Sequence, residues 1–130
     1  MNPHKFRVEW PEKDGEYKVI QILYNETEPL LRFGDRRETG AQGSFHAEIV
    51  EFFAEEIDVA CEKIKGLKSG PPIPKLPDNI PYKTVGMGRA YVGLESASFF
   101  GESRDYGLKI NVDHLRLMKN FSTKRLFIPV

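Results

Sequence analysis

The sequence predicts an α/β protein of the α+β type: a single domain, residues 1–130, in which a mixed sheet of about six strands packs with two main helices. Three observations lead there. β-Branched and aromatic residues crowd residues 17–24 and 30–33; apolar residues recur at three- and four-residue spacing from residue 44 to about 65; and further strand-like runs after residue 82 are followed by a second helical stretch. Groups of strands separated by helices imply a sheet covered by helices. With 130 residues, 40% of them hydrophobic, the chain can build one ordinary core and is short for two domains.

In chain order, Phe6, Val8 and Trp10 alternate with Arg7 and Glu9, as in a short half-buried strand, before a turn at residues 11–15. Residues 17–24 and 30–33, with residues 25–29 between them, read as a hairpin. Residues 34–43 carry charge and glycine without a period and read as an exposed loop. The helix that follows has Ile49, Phe52, Phe53, Ile57, Ala60, Cys61 and Ile64 on its apolar stripe, Ser44 as its N-cap and Gly66 as its stop. Residues 66–81 contain five prolines and read as an inserted surface segment running extended, without regular structure. Strands are expected at residues 82–85, 90–94 and 98–100, a helix near residues 111–121, and a last strand at residues 125–128.

Charge and composition exclude several functions. The formal net charge is zero and basic residues are scattered, unlike a protein that neutralises many nucleic-acid phosphates. One cysteine, Cys61, cannot form an internal disulfide, and no apolar stretch of signal-peptide or membrane-span length opens the chain; the expectation is a cytoplasmic protein with neither nucleic-acid nor membrane partners. Cys61 with His4, His46 and His114 does not make a zinc-site pattern, so neither a metal nor another cofactor is expected. His46-Ala47-Glu48 matches the His-x-Glu of zinc deaminases, but the paired downstream cysteines are absent. A Walker A loop, a complete dinucleotide glycine fingerprint and a nucleophile elbow are absent too.

Three short motifs carry chemistry. Phe45-His46-Ala47-Glu48-Ile49 opens the first helix, Gly86-Met87-Gly88-Arg89 closes a strand in a glycine turn, and Gly101-Glu102-Ser103-Arg104-Asp105-Tyr106-Gly107 precedes the second helix. On a helical wheel Val50, Phe53, Ile57 and Ile64 fall within roughly 40° of His46, so this histidine faces inward from the first turn. One reading makes it a boundary histidine bonded to a nearby carbonyl. The other places it where unpaired backbone N–H groups attract anions and the helix dipole favours neutral imidazole. Arg89 is either a solvated residue beyond a bulge or a forked donor for phosphate, and Ser103 either sits in an exposed turn or opens a loop of backbone donors.

In order as well as content these motifs resemble the small phosphohistidine phosphatases of the Janus/Ocnus group. The resemblance runs from residue 17 to residue 128. It takes in the strand start Gly15-Glu16-Tyr17-Lys18-Val19-Ile20, the arginine in Leu30-Leu31-Arg32-Phe33-Gly34, the helix start at Phe45 to Ile49, the glycines before Arg89, and the segment Phe100 to Gly107. It implies metal-independent hydrolysis of phosphohistidine in proteins or peptides, with His46 as general base or nucleophile. Lys18, Arg32, Arg89 and Ser103 would bind the phosphoryl group, and the stretch Ser103, Arg104 and Asp105 would present backbone donors. Arg36 or Arg37 can take the place of Arg32, because the chain from Arg32 to His46 is longer than in the family. Phosphate or sulfate would fit the same site. Asp105 stands where the family has a small residue, and Glu102 adds a second carboxylate; both oppose a dianion. The alternative is therefore a phosphate- or phosphoprotein-binding module without turnover, and a third possibility is an interaction domain whose motifs are turn chemistry alone.

Overall fold

A computed structural model of the chain describes residues 7–34, 46–67 and 70–128. The elements are β1 (Gly15–Tyr24), β2 (Glu28–Phe33), α1 (His46–Glu56), β3 (Glu62–Ile64), β4 (Ile73–Lys75), β5 (Tyr82–Val92), β6 (Ser96–Phe100), β7 (Glu102–Ser103), β8 (Leu108–Lys109), α2 (Val112–Met118) and β9 (Arg125–Phe127). The fold is mixed α+β. Its main sheet has five described strands in the order β2-β1-β5-β6-β9, antiparallel except for the parallel β6–β9 pair, while β3–β4 and β7–β8 form two small ribbons.

Strand alternation divides the core into two layers. Val19, Leu31, Ala90 and Phe99 face α2 with Leu115 and Met118, while Ile20, Ile22, Leu30 and Met87 face α1 with Ile49, Val50 and Phe53. The β1–β2 hairpin turns through Asn25 and Glu26, both at positive φ (50° and 66°), with the Thr27 N–H donating to the Tyr24 carbonyl at 3.2 Å. That is the primed turn matching strand twist.

Several expectations need correction. The first helix ends at Glu56, not near residue 65. Asp58 adopts φ 58°, its N–H donates to the Glu55 carbonyl (3.1 Å), and the Val59 N–H donates to the Ala54 carbonyl (2.9 Å). This is a Schellman stop made without glycine, and Ile64 then belongs to β3, opposite Ile73. Residues 66–81 are not a loose surface run: β4 lies within them, and Ile73, Pro74 and Leu76 are buried. The strands expected at residues 82–85 and 90–94 are one strand, β5, so Gly86-Met87-Gly88-Arg89 lies inside it and is not a turn.

The cause is a bulge. Gln21 pairs with Gly86 and Ile22 with Thr84, leaving Val85 as the extra residue. Gly86 is required because a Cβ there would fall 2.0 Å from the Gln21 Oε1. Near the N-terminus, Val8 forms only an isolated parallel bridge to Leu31 rather than a strand, and Phe6 lies outside the described residues. So do Ser44, the expected N-cap, and nearly all of the loop expected at residues 34–43. Among the described residues no helix is long and apolar enough to cross a membrane.

Candidate functional site

The α1-facing side of the sheet is covered by that helix over Ile20 and Met87. Beyond the helix start the same side continues with Lys18 on β1 directly opposite Arg89 on β5. This register sets two cations side by side on one face of the sheet. Arg89 also contacts Glu16, two residues before Lys18, through Nη1 at 3.3 Å; both side chains are about half exposed.

His46 closes the site from above. As the first residue of α1 it is 8% exposed, and its Nε2 lies 2.8 Å from the Gly88 carbonyl oxygen. A carbonyl oxygen only accepts, so Nε2 carries the proton and Nδ1 is the nitrogen left with a lone pair. The imidazole pKa is held below 6.5, mainly by burial and secondarily by the charges of Lys18 and Arg89, against the opposing effect of the Gly88 hydrogen bond. The ring is therefore neutral at pH 7. Around it, the first N–H groups of α1 have no intrahelical acceptor and carry the positive end of the helix dipole.

These groups line one cavity of about 390 Å³ together with Ala47, Glu48, Glu102, Ser103, Arg104, Asp105 and Tyr106. Ser103 is 6% exposed and sits in β7, paired with Leu108, so the expected donor loop is a tight β7–β8 hairpin closed by Gly107 at φ 64°. Asp105 lies against the segment that follows β3: its carbonyl accepts the Leu67 N–H at 2.9 Å, and a Cβ on Gly66 would fall 2.5 Å from its Oδ1. Three carboxylates, Glu48, Glu102 and Asp105, thus share the lining with Lys18, Arg89 and Arg104.

Six of the seven residues expected from sequence meet here: Lys18, His46, Arg89, Ser103, Arg104 and Asp105. Arg32 does not. Its guanidinium grips Glu56 at the far end of α1 (Nε–Oε1 2.9 Å, Nη2–Oε2 2.6 Å) and lies 5.4 Å from the Phe53 ring centroid. Glu56 and His46 are the two ends of α1, separated by a rise of about 15 Å. The substitutes considered for it, Arg36 and Arg37, lie outside the described residues. Tyr106 lines the site without having been singled out from the sequence; its place three residues after Ser103 in the glycine-bracketed segment was the available signal.

The other described histidine lies away from this cavity. His114 is buried under β1 and β2, its Nε2 3.0 Å from the carbonyls of both Ile22 and Leu30 and its Nδ1 3.2 Å from the Gln21 amide nitrogen. Gln21 in turn exchanges two hydrogen bonds with the Asn111 backbone, and the Asn111 side chain caps α2. This network locks the β5 bulge to α2 and is structural. Among the described residues, no three His, Cys, Asp or Glu side chains converge as metal ligands do. Comparison of the chain with protein-family models, with curated proteins and with solved structures gave no match.

Proposed function

We propose that this protein is a cytoplasmic phosphohistidine phosphatase related to the Janus/Ocnus group, acting on phosphorylated proteins or peptides through His46. The observation that carries this reading is the juxtaposition of a buried neutral imidazole with two opposed cations, Lys18 and Arg89, in a cavity that also receives the start of α1 and Ser103. The phosphoryl oxygens lie between the cations and the N–H groups of the first helical turn. Catalysis then comes chiefly from positioning and charge stabilisation.

The chemistry uses the Nδ1 lone pair, since Nε2 is committed to Gly88. As a general base, Nδ1 takes a proton from water while the water oxygen attacks phosphorus. The P–N bond breaks, its electron pair stays on the departing imidazole, and that nitrogen takes up a proton. As a nucleophile, Nδ1 attacks phosphorus directly while the substrate P–N bond breaks and the departing nitrogen keeps its electron pair and takes up a proton; water then attacks the phosphorylated His46, cleaving the P–Nδ1 bond and releasing phosphate. Both routes need the neutral ring.

The test is phosphate release from a phosphohistidine peptide in EDTA, comparing wild type with His46→Ala. We expect turnover in the wild type and a loss of about 10²- to 10⁴-fold in the variant; full activity in a folded His46→Ala protein removes His46 from the mechanism. A second reading, a phosphate-binding module without turnover, is favoured by the three carboxylates in the lining. Calorimetric phosphate binding by a wild type that releases nothing above background would select it.

A further inference from the structure

Beside the His46 cavity lies a second one, of about 410 Å³, whose walls are mostly apolar: Val50, Ile64, Leu76, Tyr82, Met87 and Leu108. Tyr106 lines both cavities. Its hydroxyl donates to the carbonyl of Pro74, which fixes the ring as a partition between them. Burial pushes the phenol pKa up, so this donor keeps its proton at any ordinary pH. At the rim, Lys75 and Asp78 pair at 2.6 Å.

The offset between the cavities follows from the elements they share. Val50 is one helical turn beyond His46 on the same face of α1, a rise of about 6 Å. Met87 is two residues before Arg89 on the same face of β5, a displacement of about 6.7 Å. Two independent elements give the same offset. In an extended peptide, side chains two residues apart point the same way and are separated by about that distance, whereas a neighbouring side chain points the opposite way.

The geometry points to a substrate subsite: the second cavity takes an apolar side chain two residues from the phosphorylated residue of an extended peptide whose phosphoryl group sits at His46. The subsite rests on the phosphoryl reading of the His46 cavity and adds to it a sequence preference. Its volume, at the small end of the range for ligand pockets, is ample for a leucine- or phenylalanine-sized group. The two cavities adjoin at Tyr106, and this adjacency commits the occupant to the same ligand rather than to a separate molecule.

The experiment uses peptides with a hydrolysis-resistant phosphonate analogue of phosphohistidine, carrying Leu two residues before and after it, Leu at the adjacent positions only, or Ser at all four. Their affinities are measured by calorimetry, alongside turnover of N-phosphorylimidazole, which has no side chain to offer. Leu two residues away should tighten binding by about tenfold or more over Ser, adjacent Leu should not, and Thr84→Trp, which fills the second cavity, should bring the ratio close to one. Equal affinities for the three peptides, or no measurable binding, with N-phosphorylimidazole turned over, overturn the subsite alone. Absence of both binding and turnover overturns the subsite together with the phosphoryl reading. Discrimination without turnover upholds the subsite and replaces the phosphatase by the binding module.

Discussion

The Nε2 of His46 and the carbonyl oxygen of Gly88 are 2.8 Å apart, a hydrogen bond that ties the first residue of α1 to the middle of β5. It fixes the tautomer of the candidate catalytic ring and depends on where the β5 backbone lies. Gly88 has no room for a side chain: a Cβ would come 2.6 Å from both Ile110 Cγ1 and the backbone oxygen of Phe100. Gly88→Ala should therefore destabilise the fold by about 1–3 kcal/mol, as overpacking in a closed core does. Urea denaturation checks this, and an unchanged midpoint refutes the packing argument.

The two arginines expected from sequence should separate cleanly. Arg89→Ala should weaken binding of inorganic phosphate by at least about tenfold, as loss of a charge-assisted hydrogen bond does. Arg32→Ala should leave phosphate affinity unchanged and instead cost about 1 kcal/mol of stability, through loss of the two-pronged contact with Glu56. Calorimetric titration and thermal melting of both variants are the measurements. Equal loss of phosphate affinity in the two would place Arg32 back in the site.

Ring titration of His46 has a definite sign. Burial, then Lys18 and Arg89, lower its pKa, so the neutral form persists below pH 6.5 and the acid limb of kcat/KM lies on the acid side of that value. Removing a nearby cation by Lys18→Met should move the midpoint upward. An NMR titration of the imidazole follows this without relying on turnover. A midpoint at or above 6.5 in the wild type would contradict the burial and charge described for it.

Acid should weaken the fold through His114. Burial lowers its pKa to about 4, and protonated Nδ1 would face an amide N–H of Gln21 instead of accepting from it. A folded-state pKa below the unfolded value means that stability is fully present above pH 6.5 and is lost as pH falls toward 4. The loss is on the order of 3 kcal/mol at 1.36 kcal/mol per pKa unit. Urea unfolding of wild type and His114→Gln at pH 7 and pH 4 gives the difference. Identical acid losses in the two proteins would exonerate His114.

Most of the site was legible in the sequence because its residues sit at positions with local signatures. The inward phase of His46 depends on helical periodicity alone, and the ring both bonds to a backbone carbonyl, as the boundary reading expects, and lines the cavity. The place of Arg32 beside Glu56 is not legible in the sequence, because a strand pattern gives the face a side chain occupies but not which end of an overlying helix it meets. The early stop of α1 was missed because Asp58 supplies a left-handed conformation usually given by glycine. Local sequence suggests a turn at the glycines of β5 because it does not show Gln21 or Ile110 arriving where a Cβ would stand.

By itself the sequence determined the α+β class, the β1–β2 hairpin, the inward face of α1 and the residue types of the site, since these follow from periodicity, turn chemistry and local composition. Only the tertiary structure decided that Lys18 stands opposite Arg89, that Arg32 is held by Glu56, and that Tyr106 divides a polar cavity from an apolar one. These relations join residues far apart in the chain. Strand register, the β5 bulge and helix placement set them, through the packing of the whole core rather than through any local preference.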